Sequence, residues 1–217
     1  MPPTIVQQRK KFGKGSDLRD TETFPPFHDC PDENDLDLRY YSDQGGDPLR
    51  HWCFLGEVVQ VTYLGRLVCD VKDVQGRMAR VAFYDDDRGD SFVQGSPKCK
   101  PGYTVAVLYG MGHGFLDMSS GIRVEDNKCV RILPCSLESL FSTNEKLRSP
   151  LAEKCSAAGC DKTENLQACS GCHIVQYCGK EHQSAHWKEH RGDCKAATAL
   201  EWFTQRNWTR FRDFYSF

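Results

Sequence analysis

Between Cys155 and Cys194 the chain reads CSAAGCDKTENLQACSGCHIVQYCGKEHQSAHWKEHRGDC, and this run holds six of the twelve cysteines in a sequence of 217 residues. Its candidate ligands fall into four pairs: Cys155/Cys160, Cys169/Cys172, Cys178/His182 and His190/Cys194. The Cys-x2-Cys pair fits a tight turn whose backbone amides point at thiolates. The last two pairs are four residues apart, which on a helix places both side chains on one face. Eight nitrogen and sulfur ligands make two tetrahedral sites. Spacing alone leaves both sequential and interleaved assignments open.

A four-coordinate zinc held only by Cys and His has no open position for water or substrate, so such sites are structural, and metal binding supplies folding free energy to a segment with little core of its own. The expected cofactor is therefore Zn2+, two ions, and catalysis at these ions is not expected. His173, directly after Cys172, and His186, one turn from both His182 and His190, read as bystanders. The other cysteines, Cys30, Cys53, Cys69, Cys99, Cys129 and Cys135, show no metal-like pairing, and Cys69 and Cys129 read as small buried hydrophobes in strands.

The rest of the chain is of ordinary composition. A formal net charge of -2 gives no global reason for nucleic acid or anionic lipid to bind. No apolar run approaches the ~20 residues that span a bilayer, and the first residues, MPPTIVQQRKKFGK, lack the apolar core of a secretory signal. The expected setting is a reducing compartment, cytoplasmic or nuclear or both, where clustered cysteines bind metal rather than form disulfides. Arg9, Lys10, Lys11 and Lys14 form a basic cluster that reads as a solvated tail, with a nuclear signal as the alternative.

The length allows one domain and a small module, and the expected fold class is α+β. Residues 1–52 are rich in turn signals and read as an extended arm, partly wrapped on the next domain. Residues 53–134 carry short β-branched and aromatic runs, placing strands near 56–63, 66–72, 77–84, 103–109, 114–117 and 121–133, the last interrupted at Asp126-Asn127. Closing such a sheet removes its edges, so a small barrel is expected, OB-like or SH3-like. The stretch 85–102 reads as a long loop. The Gly110–Gly114 segment reads as a hairpin turn bearing a solvated His113. Residues 135–150 form a connecting helix with Ser136 as N-cap, and 151–194 hold the metal cluster. Residues 195–217 form a C-terminal helix whose aromatic stripe, Leu200, Phe203, Trp208, Phe211, Phe214 and Tyr215, reads as packing rather than as an exposed face.

With Tyr177 before Cys178, Gln183 after the sixth ligand, then Trp187, His190 and Cys194, the segment resembles a MYND finger. The resemblance covers roughly 40 residues. It implies interleaved sites, Cys155, Cys160, Cys178 and His182 on one zinc and Cys169, Cys172, His190 and Cys194 on the other. Two departures stand out: the first pair is spaced by four residues where two is commoner in the family, and His182 replaces the usual Cys. The resemblance also implies a protein partner with a proline-containing peptide, docked against Gln183 and Trp187. On its own, Trp187 reads equally as packing behind the helix, and Gln183 as helix surface.

Three functions are thus in view. An adaptor that recruits such a peptide, with transcriptional regulation as one setting, is the leading one. Single-stranded nucleic-acid binding by the barrel is the alternative, but basic and acidic residues balance between Phe54 and Leu133, so nucleic acid is not the expected partner. An enzyme is not expected: no Gly-rich cofactor loop and no His-x-Asp iron motif occurs. No membrane association is expected either.

Overall fold

A computed structural model describes residues 16–217, apart from Gly45 and Pro97. The basic cluster at Arg9, Lys10, Lys11 and Lys14 lies outside the described residues. The chain divides into two compact units. One comprises Leu18–Leu137 together with Asn207–Phe217; the other runs Glu138–Arg206 and includes the described residues before Leu18. Among the described residues no helix is long and apolar enough to cross a membrane.

The first unit is built on a seven-stranded sheet of β1 (Cys53–Tyr63), β2 (Leu67–Asp73), β3 (Met78–Phe83), β4 (Thr104–Leu108), β5 (Gly112–Gly114), β6 (Ser120–Val124) and β7 (Val130–Leu133), in the order β5-β6-β3-β2-β1-β4-β7. β5 stands at one end of that order and β4 near the other, yet only Tyr109–Met111 separates them in sequence. So short a link cannot cross an open sheet, so the sheet curls back on itself into a barrel. The broken strand 104–114 is one stave and the broken strand 120–133 another. β6 pairs with β5 and β7 with β4. β3 and β6 run parallel, which a simple meander cannot give, and β1 pairs with both β2 and β4. This is the OB-like order rather than an SH3-like one.

Alternation fills the barrel. Leu67, Cys69 and Val71 of β2 and Ala79, Val81 and Phe83 of β3 point inward beside Phe54, Val58, Val105, Val107, Ile122, Val124, Val130 and Ile132. β1 bends where it passes from β4 to β2. At that bend a Cβ on Gly56 would lie 2.6 Å from a methyl of Val71, so only glycine fits.

Most strands fall within two or three residues of the sequence expectation, with one correction. His113 lies in β5, not in a solvated turn: its Nδ1 is 2.6 Å from Glu33 Oε1, and its ring is edge-on to Phe115. The turn comes later, at Phe115–Ser119, where Asp117 Oδ1 accepts the Ser119 amide and Met118 takes a positive φ of 64°. The expected loop 85–102 contains a short helix, α1 (Asp90–Gln94).

The arm packs on the barrel through Leu18, Phe24, Cys30 and Tyr40, all buried. Tyr40 lies 4.8 Å from Trp52, ring to ring, and Asp32 bridges to Gly112.

In the second unit, α2 (Leu137–Arg148) matches the connecting helix. The expected C-terminal helix over 195–217 needs correction. Helix α3 starts at Lys180 and runs unbroken to Thr204, because the run Lys195–Leu200 contains no breaker. It does not reach 217: the Asn207 side chain accepts the Thr209 amide in a turn, and the remaining residues belong to the barrel unit. There Trp208 packs 5.2 Å from Phe24, and Tyr215 stacks on His51 at 3.9 Å. Of the predicted aromatic stripe only Leu200 and Phe203 are helical, and both are buried.

Candidate metal centre

The ligands are delivered by a loop that carries Cys155 and Cys160, a short ribbon and helix α3. A two-stranded ribbon, β8 (Gln167–Ala168) with β9 (Gln176–Tyr177), ends on one side in Cys169 and on the other in Cys178. α3 supplies His182, His190 and Cys194. Between the ribbon strands, Cys169-Ser170-Gly171-Cys172 forms a knuckle so tight that a Cβ on Gly171 would sit 2.9 Å from Cys194 Sγ. His173 then turns the chain with φ of 56°.

Two groups of four ligand atoms result, each lying within 4.8 Å of one another: Cys155, Cys160, Cys178 and His182, and Cys169, Cys172, His190 and Cys194. The pairing is interleaved, as the resemblance implied, and all eight predicted ligands are used. In the first group Cys155 Sγ and Cys178 Sγ lie 3.5 and 3.2 Å from His182 Nδ1, and Cys160 Sγ lies 3.9 Å from Cys178 Sγ. In the second, Cys172 Sγ is 3.3 Å from His190 Nε2 and Cys169 Sγ is 3.9 Å from Cys194 Sγ. Zinc bonds of about 2.3 Å to sulfur and 2.0 Å to nitrogen put tetrahedral ligand edges at roughly 3.5–3.8 Å. The geometry fits. The wider Cys155/Cys160 spacing is absorbed by the loop between them, where Gly159 has φ of 74° and Cys160 N donates to Ala157 O.

The electrostatics favour the metal-binding forms of Cys155, Cys169 and His190, whereas burial opposes ionisation of Cys172, Cys178 and Cys194. Burial opposes ionisation of Cys155, but the Ala157 and Cys178 amides and the His182 ring outweigh it and bring the thiol down to about 6. Cys169 is likewise lowered: burial is overcome by the amides of Gly171 and Cys172. His190 is pushed down, mainly by burial and then by His186, which keeps the ring neutral as a ligand must be. The second group is buried at all four residues, whereas only Cys155 is buried in the first.

His186 and His173 lie outside both groups. His186 Nδ1 instead meets the Tyr177 hydroxyl at 2.9 Å, and its ring stacks on His190. That role escaped sequence reading, although the one-turn spacing of the three histidines hinted at it. Of the two predicted partner contacts, Gln183 directs its amide at Cys169 Sγ, 3.9 Å away, and Trp187 is 46 % exposed with its ring 6.1 Å from that of His190. Trp187 is therefore not packed away behind the helix.

Comparison with known proteins agrees with this geometry. Residues 153–194 match the MYND finger family. A stretch of 43 residues is 56% identical to the histone-lysine N-methyltransferase ASHR1 of Arabidopsis thaliana, covering 20% of this chain and 9% of that protein. A stretch of 33 residues is 48% identical to the Rho GTPase-activating protein gacZ of Dictyostelium discoideum, covering 15% of this chain and 3% of that one. The matched stretches thus make up under a tenth of either relative. Among solved structures, the Stn1-Ten1 complex of S. pombe superposes on 45% of this chain and 68% of its own at 23% identity, with a TM-score of 0.30. Pot1pC of Schizosaccharomyces pombe bound to ssDNA superposes on 50% of this chain and 99% of its own at 11% identity, also at 0.30. Superpositions that loose bear on neither fold nor ligand. The finger needs no help from them: ligand spacing, interleaved clusters and sequence match together make residues 153–194 a zinc-binding MYND finger.

Proposed function

We propose that this protein is a non-catalytic adaptor whose finger recruits a proline-containing peptide of a partner protein. The observation that carries this is Trp187, exposed on α3 one turn from Gln183 and beside the more deeply buried metal cluster. Proline-rich segments are preformed and lose little entropy when they dock on an aromatic surface. Each ligand group offers four N/S donors, which would leave a bound zinc no open position for a substrate, so the finger's chemistry is folding and presentation. A methyltransferase relative shares only the finger region, so its activity is not carried over, but its histone substrate supports a nuclear, transcription-related setting alongside a cytoplasmic one. Titration of the zinc-loaded chain with a panel of proline-containing peptides tests the reading. Trp187→Ala is expected to abolish binding with two zinc ions retained; unchanged binding by a variant with full zinc content sinks it.

A second reading, single-stranded nucleic acid on the barrel, draws support from one surface. Tyr84 is flanked by Arg66 at 3.7 Å and Arg123 at 4.5 Å, with Phe115 near-parallel at 6.4 Å. Such a stack can hold a base. However, Arg80 is tied to Asp117 and Asp70, and Arg123 to Glu125, which weakens any pull on phosphate. Affinity for a single-stranded oligonucleotide that falls steeply with salt and is lost in Tyr84→Ala would move the assignment to the barrel.

A further inference from the structure

Two thiols outside the finger meet in the barrel core. Cys69 is in the middle of β2, fully buried. Cys99 follows α1 in the loop between β3 and β4 and is 8% exposed, between two exposed lysines, Lys98 and Lys100. Their Sγ atoms are 3.1 Å apart, about 1 Å beyond a disulfide bond of roughly 2.05 Å. Both strand and loop are held in place around them. Cys69 is registered against Val61 and Val81, and the Cys99 amide donates to Phe92 O at 2.8 Å. Phe92 and Val93 of α1 pack on the same core.

We infer that Cys69 and Cys99 are a redox modification site, closing to a disulfide with hydrogen peroxide as the oxidant and reopening with a dithiol. Cys99, nearer to solvent, attacks first. Its thiolate sulfur takes one peroxide oxygen, giving a sulfenic acid and releasing hydroxide. Cys69 then loses its proton and attacks that sulfur; the S–S bond forms and the sulfenic oxygen leaves as water. Two thiols give up two electrons and two protons, and one peroxide becomes two waters. The order of attack has electrostatic support: the adjacent Cys69 thiol stabilises the Cys99 thiolate and lowers its pKa against the opposing effect of burial. The bond would tie the loop bearing α1 to the central strand of the barrel.

The test uses the full chain with zinc bound. After limited peroxide, free thiols are blocked with N-ethylmaleimide and the chain is digested for mass spectrometry. A Cys69–Cys99 cross-linked peptide is expected, about 2 Da lighter than its reduced parts, lost on dithiothreitol treatment and absent from Cys99→Ser. In Cys69→Ala, dimedone is expected to label Cys99 as a stranded sulfenic acid, and hydrogen exchange across 90–99 should slow in oxidised wild type relative to reduced. Oxidation of other cysteines with no Cys69–Cys99 peptide overturns the inference. So does a peptide that forms only after urea unfolds the barrel.

Discussion

Asp73, at the end of β2, accepts the backbone amide of Phe27 at 3.0 Å across a gap of 46 residues. Its other carboxylate oxygen accepts the amides of Gln75 and Arg77, each at 2.9 Å. One buried side chain thus closes the β2–β3 turn and pins the arm, whose Phe27 ring meets Phe54 edge-on. Hydrogen bonds to a charged acceptor contribute about 1.5–3 kcal/mol each and are not additive, so Asp73→Ala is expected to cost about 2–4 kcal/mol. Urea unfolding of the barrel reads the cost. Limited proteolysis should then cut first within residues 20–50, and a variant that resists both assays would show that the arm is held elsewhere.

The returning C-terminal segment is expected to behave as part of the barrel, not of the finger. Trp208 is buried against Phe24, its carbonyl accepts the His51 amide at 2.9 Å, and Tyr215 N donates to the Tyr109 hydroxyl at 2.8 Å. Removing a buried Trp costs about 3–5 kcal/mol. Trp208→Ala should lower the thermal midpoint of the barrel while zinc content stays at two ions per chain; loss of zinc with an unshifted barrel would reverse the assignment.

The contrast between finger and tail shows what this sequence makes legible. Metal ligands announce themselves because coordination fixes residue type and local spacing together, and all eight, from Cys155 to Cys194, could be read directly. Strands such as β2 and β3 were legible from short runs of β-branched and aromatic residues with Gly or Asp between them. The tail was not: an aromatic run looks the same whether it lines a helix or returns to cover a barrel, and the deciding contact, Phe24 with Trp208, is long-range. His113 was misplaced for a related reason. Its flanking glycines signal a turn, while its strand depends on pairing with β6 and on the arm residue Glu33. Nothing local ties Cys69 to Cys99 either, since their approach comes from where the β3–β4 loop folds back.

Asp85 gives the barrel an expected pH dependence. Both of its carboxyl oxygens are shielded from solvent with no hydrogen-bond partner of ordinary geometry, and burial, reinforced by the Asp87 carboxylate, pushes its pKa to about 7. An unfolded Asp titrates near about 3.9, so between about pH 4 and pH 7 the native state holds a proton that the unfolded state has lost. Asp85 therefore stabilises fully below pH 4, and that contribution drains away as pH rises through 7. Asp87, lowered by its neighbour Asp85, acts in the opposite sense and only at acid pH. Asp85→Asn is expected to match wild type below pH 4 and to exceed it at pH 8 in urea midpoint, with the gap opening between about pH 4 and pH 7. Parallel curves for the two proteins would remove Asp85 as the source.

Zinc removal separates the two units energetically. Half of the finger's buried cluster is the ligands themselves, Cys155, Cys169, Cys172 and Cys194, with Ala157, Ile174, Tyr177 and Ala197 as the other members. So small an apolar core cannot offset chain entropy, and zinc supplies the difference, about 10–16 kcal/mol in finger peptides. Chelation is expected to melt the ribbon and the first turns of α3 while the barrel keeps its own thermal transition. The ligand positions should then differ in kind. His182→Cys puts a thiolate where an imidazole nitrogen stood and should retain two ions by native mass spectrometry. His182→Ala leaves three ligands in the more exposed group and should retain one ion, in the buried group. Cys172→Ala opens the group whose four members are all buried and should cost both that ion and the fold of the finger. Two tightly held ions in Cys172→Ala would mean that Cys172 is not a ligand, because among the described residues no further Cys or His joins that cluster to complete a fourth bond.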